Sequence, residues 1–309
     1  MMYRNGWNVG AAAMLLAVSL SAAPASSKLV DAVKNSDKAS ARALIAQNAD
    51  VNSTEVDGTT ALHWAVHRDD VETTRLLLSK GANARAANRY GITPLTLACQ
   101  NGNAAIIEAL IKAGANANTV FGEGETALMT AARTGKLDAV KVLLSNGANV
   151  NAKEPRQGQT ALMWAAAEGN ADVVAELVER GADIHVRSDG FTPLLFAIRE
   201  GRMNVVKTLL KSGADVNEKW MPNSRRTPGS GSSALVLAVN NAHWELAAML
   251  LDAGADPNAA EQGWTALHEM TWVRKPGTGT NQPAPQGSRS EEHTSELQSL
   301  AYLVCRLLL

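Results

Sequence analysis

Two short motifs recur along this chain in one register, and that recurrence constrains its fold more than any other feature. The tetrad Thr/Ser-Ala/Pro-Leu-x opens at Thr60, Thr93, Thr126, Thr160, Thr192, Ser233 and Thr265, with spacings of 33, 33, 34, 32, 41 and 32. The triplet Gly-Ala-Asn/Asp opens at Gly81, Gly114, Gly147, Gly181, Gly213 and Gly254, with spacings of 33, 33, 34, 32 and 41. Independent motifs that share even the anomalous interval of 41 mark an internal repeat. A unit of this length cannot bury its apolar face alone, so its stability has to come from stacking on its neighbours.

Each unit reads as two short helices. Thr or Ser caps the first, and Pro94 and Pro193 stand just inside it, where a missing N–H does no harm. Leu62 and Ala65, like Leu128 and Ala131, lie three apart on one helical face. The second helix carries pairs such as Leu76 and Leu77, or Val142 and Leu143, and stops at Gly81 or its equivalents, where a left-handed backbone is expected. With 4% aromatic residues against 46% hydrophobic, and Ala at 65, 98, 131, 165, 197 and 238, the units suit close approach.

The stretches DGTTALHWAV from Asp57, YGITPLTLAC from Tyr90 and QGQTALMWAA from Gln157, with GANVNA from Gly147 and GADVNE from Gly213, resemble the ankyrin repeat. The resemblance spans residues 28–288. It implies an all-α repeat solenoid of about seven helix pairs, each followed by a β-hairpin finger, and a concave face of fingers and first helices that binds other proteins. The units fall near 28–56, 57–89, 90–122, 123–156, 157–188, 189–229 and 230–261, with a partial repeat at 262–288. The first is degenerate: Leu29, Ala32, Leu44 and Asn48-Ala49-Asp50 keep its register. Lys34, Asp37, Lys38 and Arg42 are expected on its outer face as a polar cap.

The two ends depart from this pattern. Arg4, the twelve-residue apolar run Val9 to Leu20 and the small residues Ala23-Pro24-Ala25 read as a signal peptide, cut after Ala25. The run is shorter than the roughly 20 residues a membrane-spanning helix needs. A periplasmic or secreted location is therefore expected, with no membrane span in the mature chain. At the other end, Arg289 to Ser299 (RSEEHTSELQS) resembles a translated sequencing adapter, so 289–309 is expected to be non-native and the array to stop inside its last repeat.

A net charge of −1 gives no pull toward phosphate, so nucleic acid is not expected as a partner. Cys99 and Cys305 make neither a disulfide framework nor a metal cluster. His63 and His67 stand one helical turn apart but lack a third ligand, and His63 is expected to hydrogen-bond near a finger instead. Gly122-x-Gly124-x-x-Ala127 imitates a dinucleotide fingerprint without a preceding strand, and Asn52-Ser53-Thr54 is a glycosylation sequon that is not expected to be used. With no catalytic, cofactor or small-molecule motif, the expectation is a non-catalytic scaffold for an unknown protein partner. The alternative is the accessory region of a larger exported enzyme or electron-transfer protein.

Aligned repeats place Tyr90, Ile92, Phe121, Glu125, Gln159, Phe191 and Trp264 at the fingers. They place His67, Arg68, Gln100, Arg133, Glu168, Arg199 and Glu200 at the ends of first helices. The long interval carries about eight extra residues within EKWMPNSRRTPGSGS, which runs from Glu218, where Trp220, Met221, Arg225 and Arg226 are further candidate contacts. Arginine beside exposed aromatics is a frequent composition at protein interfaces. Trp64, Trp164 and Phe196, at one repeat position, are expected to pack between repeats, and Arg274 to Gly287 reads as a linker.

Overall fold

A computed structural model describes residues 28–221, 231–260 and 263–273. The leader at 1–25, Arg225 and Arg226, the stretch Arg274 to Gly287, Cys305 and the tail at 289–309 lie outside the described residues.

Helices α1 (Lys28–Lys34) and α2 (Lys38–Ala46) form the first pair, α3 (Ala61–His67) and α4 (Val71–Ser79) the second. They are followed by α5 (Pro94–Asn101) with α6 (Ala104–Lys112), then by the strands β1 (Val120–Phe121) and β2 (Glu125–Thr126). Next come α7 (Ala127–Arg133) with α8 (Leu137–Ser145), α9 (Ala161–Glu168) with α10 (Ala171–Glu179), and α11 (Pro193–Arg199) with α12 (Met203–Lys211). Strands β3 (Lys219–Trp220) and β4 (Ser232–Ser233) precede α13 (Ala234–Asn240), α14 (Trp244–Asp252) and a last helix, α15 (Ala266–Val273).

These helices pack in two files. The first helices touch in unbroken order from α1 through α15 by odd numbers, and the second helices do so from α4 through α12. The core runs between the files. The tetrad's leucines Leu29, Leu62, Leu95, Leu128, Leu162, Leu194 and Leu235 are all buried, as are Leu77, Leu110, Leu143, Leu177, Leu209 and Leu250 four residues before each Gly-Ala stop. Each of Ala65, Ala98, Ala131, Ala165, Ala197 and Ala238 is fully buried, where a larger side chain would push neighbouring helices apart.

Local chemistry explains the helix ends. The hydroxyls of Thr60, Thr93, Thr126, Thr160, Thr192 and Ser233 each accept the backbone N–H three residues on, satisfying one orphan donor per first helix. The second helices end with a glycine at positive φ, +81° at Gly147 and +97° at Gly213, as the Gly-Ala motif predicts. Asparagines four residues past that stop tie four of the repeats to the next. Asn118 Nδ2 donates to Gly147 O at 2.8 Å while its Oδ1 accepts Asn149 N at 2.7 Å. Asn151 spans Gly181 and Asp183 in the same way at 3.0 and 2.9 Å, and Asn52 and Asn217 repeat the bridge. The Asn52 amide of the sequon is thus a structural tie.

One expectation needs correction. Lys34, Lys38 and Arg42 do not form an outward polar face: Lys34 pairs with Glu55 of the first finger at 2.8 Å, and Lys38 and Arg42 reach Asp70 and Glu72 of the second repeat at 2.9 and 2.5 Å. Their chains span the seam between the first two repeats, while Asp37 caps α2 through Ser40 N.

Candidate functional site

The fingers are narrow, and two of them carry strand pairs two residues long. Val120 pairs with Thr126 and Phe121 with Glu125; Lys219 pairs with Ser233 and Trp220 with Ser232. Elsewhere only isolated bridges remain, Thr54 with Thr60 and Ser188 with Phe191. Gly122 and Gly124 fall in the β1–β2 turn at φ +53° and +104°, which accounts for the glycine pattern there.

Four pairs of neighbouring fingers are tied together. Arg89 N donates to Asp57 O at 2.8 Å, Arg156 pairs with Glu123 at 2.6 Å, and Ser188 Oγ donates to Gln157 O at 2.8 Å. Trp220 Nε1 then donates to Asp189 O at 3.2 Å. His63, on α3, fixes the finger of the following repeat. Its Nδ1 accepts Thr60 N at 3.2 Å, which leaves the proton on Nε2 to donate to Ile92 O at 3.1 Å. Burial holds the His63 pKa below the usual imidazole value, so this neutral tautomer is maintained.

Two buried carboxylates at the fingers behave oppositely. Burial works against ionising Glu154, but the backbone N–H groups of Gln159, Arg156, Gln157 and Gly158 outweigh it and hold the carboxyl below its ordinary value. Glu218 has fewer donors: Thr192 Oγ1 bonds to it and His185 Nδ1 stands 4.0 Å away. Burial therefore dominates and pushes its pKa up. Cys99 sits in the core, and burial pushes its thiol up to about 12, where it is no nucleophile.

The predicted contact residues occupy this one surface but not in one state. Tyr90 is exposed, with Arg89 stacked over its ring, and Trp264 is exposed beside His268. Arg133, Gln100, His67, Arg68, Glu168 and Glu200 are exposed at the ends of first helices. Ile92, Phe121, Glu125 and Gln159 are half-buried. Phe191 and Trp220 are also half-buried, because their rings pack on each other at 5.3 Å and Phe191 packs on Phe196 at 5.4 Å. Arg199 closes this cluster by lying over both phenylalanines. Trp64, Trp164 and Phe196 do sit at repeat boundaries: Lys34 from the preceding repeat covers Trp64, and Arg133 covers Trp164. A cleft of about 260 Å³ opens beside Trp164, walled by Arg133, Gln159, Met163 and Arg199. Val56 and Val120 are finger residues that the sequence reading missed, being 74% and 58% exposed. Val56 lies between Glu55 and Asp57, an apolar side chain between acids, whereas Val120 is followed by Phe121 and carried no such signal.

Comparison with known proteins agrees with this architecture. A family model described as ankyrin repeats (3 copies) matches residues 29–121, 84–154, 115–188 and 153–220, and a single ankyrin repeat matches 230–261. Among solved structures, the human ASB11 ankyrin repeat domain is similar, with a TM-score of 0.59 and 25% identity over 81% of this chain and 99% of that one. A sequence search of curated proteins returns no match. Solved chains with this likeness number 559 or more, so the likeness defines an architecture and does not choose a partner.

Proposed function

The chain belongs to the ankyrin repeat family, and from that premise we propose that it is a non-catalytic scaffold that binds another protein along its fingers and first-helix ends. One observation carries the reading: neighbouring fingers are linked at four places, yet the fingers leave Val56, Tyr90, Val120, Met221 and Trp264 between 46% and 74% exposed. Large apolar side chains held out on an ordered frame lose little conformational entropy when a partner covers them. Ankyrin repeats generally serve as protein-interaction modules, which supports the same reading. No helix among the described residues is long and apolar enough to cross a membrane.

We propose further that the protein acts in the periplasm or outside the cell, a reading supported by the Arg4 to Ala25 leader pattern. N-terminal sequencing of the mature protein should begin at Ser26; a chain starting at Met1 overturns export. For the binding function, crosslinked partners of the native protein are compared with those of a Tyr90→Ala, Met221→Ala, Trp264→Ala triple variant. A partner retained by the native chain and lost by the variant, at unchanged helical circular dichroism, is expected. Equal retention by both would refute the surface.

A further inference from the structure

We propose that the cleft between the fourth and fifth repeats receives a carboxylate of a protein partner, held between the Arg133 guanidinium and the Trp164 indole N–H. The proposal rests on the reading of this face as a protein-binding surface and names the chemistry of one place on it.

The chain itself contains the precedent. Lys34 closes α1 and Arg133 closes α7, while Trp64 and Trp164 each follow a Thr-Ala-Leu-x turn in the next repeat. Lys34 Nζ lies 4.8 Å over the Trp64 ring, and Arg133 Cζ lies 4.9 Å over that of Trp164. At the first place a carboxylate completes the group: Glu55 accepts from Lys34 Nζ at 2.8 Å and from Trp64 Nε1 at 2.9 Å. At the second place that carboxylate is missing, and the Trp164 Nε1 donor is buried with no hydrogen-bond partner.

The reason is a single added residue. Glu55 N donates to Thr59 O, and Glu154 N to Gln159 O, so the two glutamates open equivalent fingers. The later finger is one residue longer, which is the interval of 34 in the repeat spacing. Its wider turn presents three N–H groups to Glu154, from Arg156, Gln157 and Gln159 at 2.6, 2.7 and 3.0 Å. The Glu154 carboxylate turns into the finger and is withdrawn from Trp164. Arg133 stays exposed, with no acid paired to it among the described residues. Arg199, the cleft's other cation, is already engaged by Glu200 at 2.9 Å and by two phenylalanine rings. Arg133 is therefore the cation left for an incoming anion, with the exposed Glu168 the one acid lining the cleft.

A buried N–H without an acceptor is unfavourable, and a charge-assisted bond to it is among the stronger contacts an interface makes. Because Nε1 is covered before binding, admission of the carboxylate requires the exposed Arg133 side chain to swing with it.

The test selects a displayed library of random dodecapeptides on the full chain. Synthetic versions of the winners, each with its acidic residue or the matching amide, are then titrated. Winners are expected to carry Asp or Glu. Changing that residue to Asn or Gln should weaken binding roughly tenfold on the native chain. On Trp164→Phe, which keeps the ring and removes the donor, and on Arg133→Gln, the same change should matter by less than about twofold. Acid and amide peptides that bind the native chain alike, or an acid preference that survives both variants, overturns the proposal. Peptides untouched by these variants but lost on Tyr90→Ala overturn only the cleft and leave the interaction surface standing. Peptides indifferent to all three, or a selection without winners, overturn both.

Discussion

The two long edges of the stack are built on opposite plans. Along the edge where each first helix turns into its partner, the same device recurs. Gly102, Gly135, Gly169 and Gly201 lie beneath a side chain of the following repeat, respectively Lys136, Asn170, Arg202 and His243. Three of those side chains bond the last turn of the preceding first helix: Asn170 Nδ2 to Ala132 O at 2.8 Å, Arg202 Nε to Ala167 O at 2.9 Å, and His243 Nε2 to Arg199 O at 3.0 Å. Orphan helix carbonyls are satisfied by the neighbour. Along the finger edge the asparagine ties recur at the roots of the fingers, but nothing recurs at their tips. Finger length varies, the turn acceptor is Asn88 in one finger and Glu154 in another, and the tips range from Val56 to Trp264. Repetition holds the register; departure from it makes the surface individual.

Glycine substitutions test the regular edge most severely. A Cβ at Gly102 would stand 2.1 Å from Lys136 Cγ and 2.8 Å from its Cβ, on a backbone already at φ +75°. Gly102→Ala combines left-handed strain with overpacking and is expected to lower stability by about 2–4 kcal/mol in denaturant melts. Gly147 has equally positive φ but nothing within 4 Å, so Gly147→Ala should lose only about 1 kcal/mol. Equal losses at the two sites would break the argument that the next repeat closes over that edge. Asn151→Ala comes second. It removes the bonds to Gly181 O and Asp183 N, both exposed to water, and about 1–2 kcal/mol is expected in the same melts.

The repeated core and helix ends were legible in the sequence and the individual contacts were not, for a physical reason. Periodicity reports which residues face a neighbour of the same kind, so Leu62, Ala65, the Thr caps and the Gly81 stop could be read without coordinates. Individual contacts carry no such signal. Lys34, Lys38 and Arg42 look like an outer cap by composition, yet their length lets them reach Glu55 of the first finger and two acids of the second repeat. Phe191 and Trp220 sit where exposed tips belong, but two adjacent aromatics bury each other. The interval of 34 was visible as a number; that it turns Glu154 away from Trp164 depends on which N–H groups the wider turn presents.

A third prediction concerns one of the two joints where the regular asparagine is replaced. His185 stands four residues past Gly181, where Asn118 and Asn151 stand in their repeats, and Glu218 is buried nearby. Because burial raises the Glu218 pKa in the fold, the unfolded chain loses that proton first as pH rises. This carboxyl's contribution is therefore complete below its ordinary value and is lost as pH climbs through the raised one. Glu218→Gln should melt like the native chain in acid and at a higher temperature at pH 7. Parallel melting curves against pH would show that Glu218 ionises in the fold as easily as in water.

The smallest stability effect should come from the finger edge itself. The Tyr90 side chain engages its neighbour Arg89, through its hydroxyl at 2.8 Å and the face of its ring, and it is not part of the buried core. Tyr90→Ala is expected to shift stability by less than about 0.5 kcal/mol. The same substitution should reduce capture of the partner, since a large exposed ring on an ordered finger is the kind of anchor that dominates interface energy. The two readouts have to separate. A Tyr90→Ala chain that lost as much stability as Asn151→Ala would mean the tips brace the stack, and the division between an edge that holds and an edge that binds would fail.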